Sequence, residues 1–266
     1  MYPEKRFPEN VSNGKYSNAN IKKERKVRMK KKFSLIELLI VISVIAILIS
    51  LLLPALAKAR DKGYAVKCLG NMRQIISAQQ QYSSDFADFM IVQAEENSSN
   101  VPWTSMFLRL DYLKLHTMNC PKIRNPMTDA IRYSSKNSSA QSYYSYGFHN
   151  QWNLSGAAFV AANGAFLHQA SPSLLYRVNR MKRPSLTYLG TDTVNADAGE
   201  WYGYGRYMWG TNTGTGGRIA LRHLSRSVSA AADGHAQTLS FKQWRDPKTS
   251  CLTPQYFYTE ALVPLP

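Results

Sequence analysis

The chain has 266 residues, of which 19% are charged, and a formal net charge of +16; three cysteines are too few for a disulfide-built scaffold, while the length allows one core beyond any membrane segment. Residues 1–32 hold 11 Lys or Arg against three Glu, half of that net charge, so the basic balance is largely a local feature and no specific nucleic-acid partner is expected. There is no Gly-x-Ser-x-Gly, no His-Glu-x-x-His, and no Gly-Lys-Ser/Thr after the glycines of 210–217, which leaves hydrolase, metalloprotease and phosphate-loop readings without support; no catalytic residue is expected.

The basic leader, 1–32, runs directly into a membrane-length apolar stretch. From Phe33 to Leu53 only Ser34, Glu37, Ser43 and Ser50 interrupt it, and its length at about 1.5 Å per residue spans roughly 30 Å of hydrocarbon. The excess of positive residues before it predicts a cytoplasmic amino terminus, with 54–266 on the far side of the membrane. A carboxylate within such a helix costs about 2.5–3.5 kcal/mol to insert, so Glu37 calls for a cationic partner. Two blander readings stand beside this one. In the first, the stretch is a secretory signal peptide cut after Ala55-Leu56-Ala57, leaving a terminus at Lys58. In the second, it is a plain signal anchor whose Glu37 reaches back to the interface.

Beyond Pro54, where a kink is expected, residues 54–85 read as an amphipathic stem helix. Leu56, Ala59, Val66, Leu69, Met72, Ile76 and Gln79 recur at spacings of three and four, and Lys58, Arg60, Asp61, Lys62 and Arg73 lie on other faces. A loop at Asn97-Ser98-Ser99-Asn100 follows, and Trp103 to Leu115 reads as one further helix with Met106, Leu110 and Leu113 on one side. The rest of 86–266 is rich in Tyr, Ser, Asn and Gly with short apolar runs, as strands and loops require. The fold class expected is therefore α+β, a long amino-terminal helix packed on a mainly antiparallel β head. Val228 to Ala232 and His235 to Phe241 are predicted to pair around Asp233-Gly234 in a two-residue type I′ turn. There Asp233 serves the turn, and His223 and His235 cover the sheet; a metal site on these residues is the other reading.

Phe33-Ser34-Leu35-Ile36-Glu37-Leu38-Leu39, preceded by a basic leader, with Glu in fifth place and Pro54 in twenty-second, resembles the start of type IV pilins and type II secretion pseudopilins. The resemblance implies cleavage by a prepilin peptidase between Lys32 and Phe33, N-methylation of Phe33, and pairing of Glu37 with the terminal amine of a neighbouring subunit during assembly. Lys32 stands where the family usually has Gly, and Met29 is placed to begin a short leader of the pilin kind. His223, nine residues, then Asp233-Gly234 is similar to the carboxy-terminal His-x9-Asp-Gly pattern of many bacterial pilin-like proteins. Taken together these imply a structural subunit of the bacterial inner membrane, assembled through helix bundling into a pseudopilus or pilus-like filament. Its partners would be the prepilin peptidase, other pilin-like subunits and, indirectly, an assembly ATPase and platform protein.

Cys68 on the stem and Cys120 in the head are candidates for one disulfide, with Cys251 left over; three free thiols is the other reading, and the spacing is not a zinc pattern. No cofactor or metal is expected. Pseudopilin heads can bind Ca²⁺, for which Asp192 and Asp197 are only loose candidates. Trp201, Tyr204 and Trp209, with Arg206 and Arg218 nearby, form an aromatic stretch that either packs within the sheet or displays a ligand surface. If displayed, it supports a different function: a membrane-anchored module that binds polysaccharide or DNA and uses the pilin-like segment only as an anchor.

Overall fold

The computed structural model describes residues 33–96, 99–122, 146–149, 157–170, 173–194, 206–207, 218–252, 257–259 and 264–265. Helix α1, Leu35–Asp85, continues through Pro54. The chain divides into two compact units, the first ending at Ser50 and the second beginning at Leu51. In the first unit α1 is exposed and apolar apart from Glu37, Ser43 and Ser50, and the helix as a whole is long and apolar enough to cross a membrane. Its start is closed by the sequence itself. Ser34 precedes the helix, its hydroxyl accepts from the Ile36 N–H at 3.3 Å, and the Glu37 carboxylate accepts from the Ser34 N–H at 2.8 Å. This Ser-x-x-Glu pairing satisfies two of the N–H groups that a helix leaves open at its beginning.

In the second unit the stem packs through a narrow stripe, Cys68, Met72, Ile75, Ile76, Gln79 and Tyr82, whose three- and four-residue steps place it on one helix face. That stripe begins later than the expected one. Leu56, Ala59 and Val66 are exposed, so the apolar spacing upstream of Cys68 does not mark a face buried within this chain.

Twelve strands are described: β1 Phe89–Glu96, β2 Ser99–Pro102, β3 Tyr146–His149, β4 Leu167–Ala170, β5 Ser173–Arg177, β6 Tyr188–Val194, β7 Arg206–Tyr207, β8 Arg218–Leu221, β9 Arg226–Ala231, β10 Ala236–Ser240, β11 Phe257–Thr259 and β12 Pro264–Leu265. One sheet has the order β2-β1-β5-β4. The other runs β10-β9-β6-β8-β11-β12, with β3 paired to β6 and β7 to β3. Pairing is antiparallel except between β3 and β7 and between β8 and β11, so the α+β class and the mainly antiparallel head expected from the sequence are what the chain adopts.

The described head also has three short α-helices, α2 Trp103–Arg109, α3 Ala157–Asn163 and α4 Phe241–Arg245, and 3-10 turns at Leu115–Met118, Val178–Arg180 and Pro184–Leu186. The helix expected from Trp103 to Leu115 is the shorter α2. Asp111 takes a left-handed φ of 59°, which ends the helical path, and Trp103 and Phe107 rather than Leu110 face inward.

Strand β6 is buried along its whole length, as a strand covered on both faces must be. Alternation along it divides the core. Leu189 joins the main cluster with Met72, Ile75, Trp103, Tyr146 and Phe148. Tyr188 faces a second cluster of Ile219, Leu221, Ala231, Leu239 and Trp244. The stem approaches β6 at Gly190, where an added Cβ would lie 3.2 Å from the Met72 sulfur and 3.3 Å from the Phe148 ring.

A buried amide fixes the stem's rotation and height. The register of β1 against β5 slips between Ile91 and Gln93, and there the Gln79 side chain accepts from the Ile91 N–H at 3.1 Å and donates to the Ile91 carbonyl at 2.8 Å. The amide takes up ladder groups that the bulge leaves to it. Gln79→Leu removes both bonds without emptying the site, and should cost about 2–4 kcal/mol. Urea unfolding of the full chain in detergent tests this; a loss below about 0.5 kcal/mol would contradict it.

The β9–β10 hairpin forms as expected with a different turn. The Gly234 N–H donates to the Ala231 carbonyl at 3.0 Å, the Ala231 N–H donates to the His235 carbonyl at 2.9 Å, and only Gly234 is left-handed, with φ 98°. That is a three-residue loop over 232–234, a type I turn closed by a left-handed glycine, rather than type I′. A Cβ on Gly234 would meet the Gln80 side-chain amide of the stem at 2.6 Å, so glycine answers both the backbone angle and the close approach.

Candidate functional site

Five segments of the second unit converge on one buried cluster. The stem contributes Cys68, the segment after α2 contributes Cys120, β3 contributes Tyr146, β6 contributes Asp192, and the β8–β9 turn contributes Arg222 and His223, all buried. The segment bearing Cys120 is tied to the stem on either side of it. Asn71 donates to the Asn119 carbonyl at 3.2 Å, and Lys122 lies 3.2 Å from Asp61. Lys122 also donates to the Arg222 carbonyl at 2.9 Å, joining that segment to the turn.

The turn is built under strain. His223 and Arg226 exchange backbone hydrogen bonds at 3.1 Å each, and the two residues between them, Leu224 and Ser225, have φ of 53° and 61°. This is the two-residue type I′ geometry that favours Asn-Gly, made here from residues with side chains. Its product is an inward His223. The expectation that His223 covers the sheet is thus corrected. Of the two histidines, His235 does that work, with its Nδ1 2.6 Å from Asp233 and its Nε2 3.1 Å from the Tyr188 hydroxyl. Asp233 also accepts from the His235 N–H at 3.1 Å, the local turn role expected of it. The His-x9-Asp-Gly pattern therefore spans β9, with its histidine in the cluster and its Asp-Gly in the hairpin turn.

At the centre, the sulfurs of Cys68 and Cys120 lie 2.9 Å apart, in contact but beyond disulfide length. The two residues that the sequence offers as candidates for a disulfide are neighbours here. Cys120 Sγ is 3.3 Å from His223 Nε2, which is 3.5 Å from Asp192 Oδ2. Arg222 donates to Asp192 Oδ1 and, at 2.6 Å, to the Thr193 carbonyl. Asp192, weighed as a Ca²⁺ ligand, is instead an interior carboxylate held by a guanidinium.

Burial pushes the Cys120 thiol well up, and the Cys68 sulfur and Asp192 add to the rise. Tyr146 is raised by the same burial and by the sulfurs and Asp192 beside it. For His223, burial acts to lower the pKa but the Asp192 carboxylate and the Cys120 sulfur outweigh it, giving a value of about 9. The site can thus hold an imidazolium between a carboxylate and a thiol.

A second buried histidine behaves oppositely. His149 Nδ1 lies 3.0 Å from the Tyr176 hydroxyl, which donates to the His149 carbonyl at 2.6 Å. The single hydroxyl proton being used there, Nδ1 carries the hydrogen and the ring is neutral. Burial pushes its pKa down to about 3. Below pH 6.5 the unfolded chain gains a proton that the folded chain refuses, so stability falls with falling pH from there toward pH 3, by about 2 kcal/mol between pH 7 and 5. Denaturation midpoints of wild type and His149→Asn across that range test it; equal slopes would contradict it.

Of the other residues singled out in the sequence, Phe33 is exposed and Glu37 accepts from Ser34 at the start of α1. Cys251 lies apart from the cluster, with its sulfur 3.0 Å from the Thr187 hydroxyl. Lys32, Asp197, Trp201, Tyr204 and Trp209 lie outside the described residues. The Arg222–Asp192 pair and the Cys120–His223 contact were not read from the sequence, and no local spacing announces them, because their members stand 30 and 103 positions apart. Compared with known proteins, the chain matches no protein-family model, no curated protein and no solved structure.

Proposed function

We propose that this chain is a pilin-like structural subunit, inserted in a bacterial inner membrane and assembled through its amino-terminal helix into a pseudopilus or pilus-like filament. The observation that carries the reading is one helix serving two environments. Its first part is apolar and exposed on every side, and its last part packs a single stripe onto a β head. An all-round apolar surface with an acid in its first turn calls for lipid, and then for other helices whose termini neutralise the acid. The subunit's work is mechanical, and the prepilin peptidase, assembly ATPase and platform protein are its partners.

The Ser34–Glu37 cap favours a second reading, a membrane anchor in which Glu37 closes only its own helix. The two separate cleanly because Gln serves at this capping position nearly as Glu does but carries no charge. Under the assembly reading Glu37→Gln and Glu37→Ala both leave the protein inserted and absent from sheared filaments, whereas under the anchor reading Glu37→Gln behaves as wild type. Mass spectrometry of the mature amino terminus adds an independent arm. A methylated Phe33 supports processing, while an intact leader or a terminus at Lys58 would overturn it.

A further inference from the structure

We propose that Cys68, Cys120 and His223, with Asp192, form a binding site for a soft divalent transition metal, Zn²⁺, that staples the stem helix to the head. The three sulfur and nitrogen donor atoms lie within 4.8 Å of one another and all three residues are buried. Two thiolates and an imidazole are a preferred donor set for Zn²⁺ and a poor one for Ca²⁺ or Mg²⁺.

Asp192 supplies the independent observation. Its Oδ2 is fully buried, makes no hydrogen bond, and faces His223 Nε2 at ion-pair distance, 3.5 Å. When a metal takes the place of the proton on His223 Nε2, this oxygen loses its ion-pair contact, and the cation then answers the buried charge from beside the three donors. Charge balances as well: Arg222 answers Asp192, and the dication answers the two thiolates.

A disulfide between Cys68 and Cys120 explains less. It accounts for two sulfurs and gives no role to the imidazole and the carboxylate that converge on them. The left-handed Leu224 and Ser225 hold His223 inward, a device that a disulfide has no use for and a ligand needs. Metal entry requires a defined adjustment. Zn–S bonds of about 2.3 Å in a tetrahedral centre set sulfurs about 3.8 Å apart, so the thiols, now at 2.9 Å, must part slightly as their protons leave.

The test uses the full chain in detergent micelles, purified with reductant, stripped with chelator and titrated with Co²⁺ and then Zn²⁺. The expected result is one equivalent of Co²⁺ giving a thiolate-to-metal charge-transfer band with tetrahedral ligand-field bands, all abolished by Zn²⁺. Cys120→Ser and His223→Ala should weaken binding by about 100-fold or more, and Cys251→Ser should leave it unchanged. A band that survives Cys120→Ser, or no band at all, overturns the proposal. Alkylation of the wild-type chain needs no variant to fold. With Zn²⁺ bound, Cys68 and Cys120 should resist alkylation until chelator is added, and protection that yields to reductant but not to chelator would establish a disulfide and overturn the metal. Because the readout is metal at the head, it stands or falls independently of filament assembly.

Discussion

Replacing Arg222 with Met should cost the protein about 3–5 kcal/mol, the range for breaking a buried ion pair by removing one partner. The guanidinium is 3% exposed and the Asp192 it binds is fully buried, so the methionine fills the volume but leaves Oδ1 of a buried carboxylate in β6 without its donor and only the His223 imidazole, 3.5 Å from Oδ2, to answer the charge. The second bond of Arg222, to the Thr193 carbonyl, adds an unsatisfied acceptor. Adding Asp192→Leu should recover most of the loss, because two apolar groups of similar volume are tolerated where one stranded charge is not. Denaturant midpoints of the two single variants and the double variant decide this. A cost under about 1 kcal/mol for Arg222→Met, or a double variant no better than the single, would show that the pair is not the central constraint on this strand.

Trp103→Ala should cost a similar amount, about 3–5 kcal/mol, by leaving a cavity where the sheet, the stem and α2 meet. The indole is fully buried, with ring centroids 4.9 Å from Phe148 and 5.8 Å from Phe107. Phe107 in turn lies 5.6 Å from Tyr82 on the stem. The aromatic chain thus runs from β3 to the helix, and its loss loosens the stem as well as the core. Far-ultraviolet circular dichroism follows the unfolding without depending on the tryptophan removed. Trp103→Phe, which keeps much of the volume, should cost less than half as much; equal costs for Ala and Phe would point to the indole N–H rather than to packing.

The membrane-length segment, the stem and the β character of the head were legible in the sequence because each is a local pattern. An uninterrupted apolar run, a spacing of three and four, and Asp-Gly between alternating residues each act within a few positions. The hydrogen bonds of Ser34 with Ile36 and Glu37 at the helix start are equally local. Glu37 was read there for its charge, and its hydrogen bond to the Ser34 N–H is the additional role that the first turn gives it.

Where expectation and structure diverge, a competing long-range contact made the difference. Leu56, Ala59 and Val66 have the right spacing for a buried stripe, yet the head meets the helix only from Cys68 onward; periodicity tells which residues share a face, not which face finds a partner. The turn at Asp233-Gly234 has the expected residues, but the pairing of Ala230 with Ala236 places three residues in the loop, and type I followed by a left-handed glycine then matches the strand twist.

By itself the sequence determined the apolar span with its single acid, the direction of its basic flank, the helical stem and the composition of a β head, since these depend on transfer from water and on backbone preference over short distances. Only the tertiary structure decided that Cys68, Cys120, Asp192, Arg222 and His223 share one buried volume. Their proximity is produced by the docking of the stem on β6 and by the strained turn at Leu224 and Ser225, and a contact between residues 52 or 103 positions apart exists only once the whole core has closed around it.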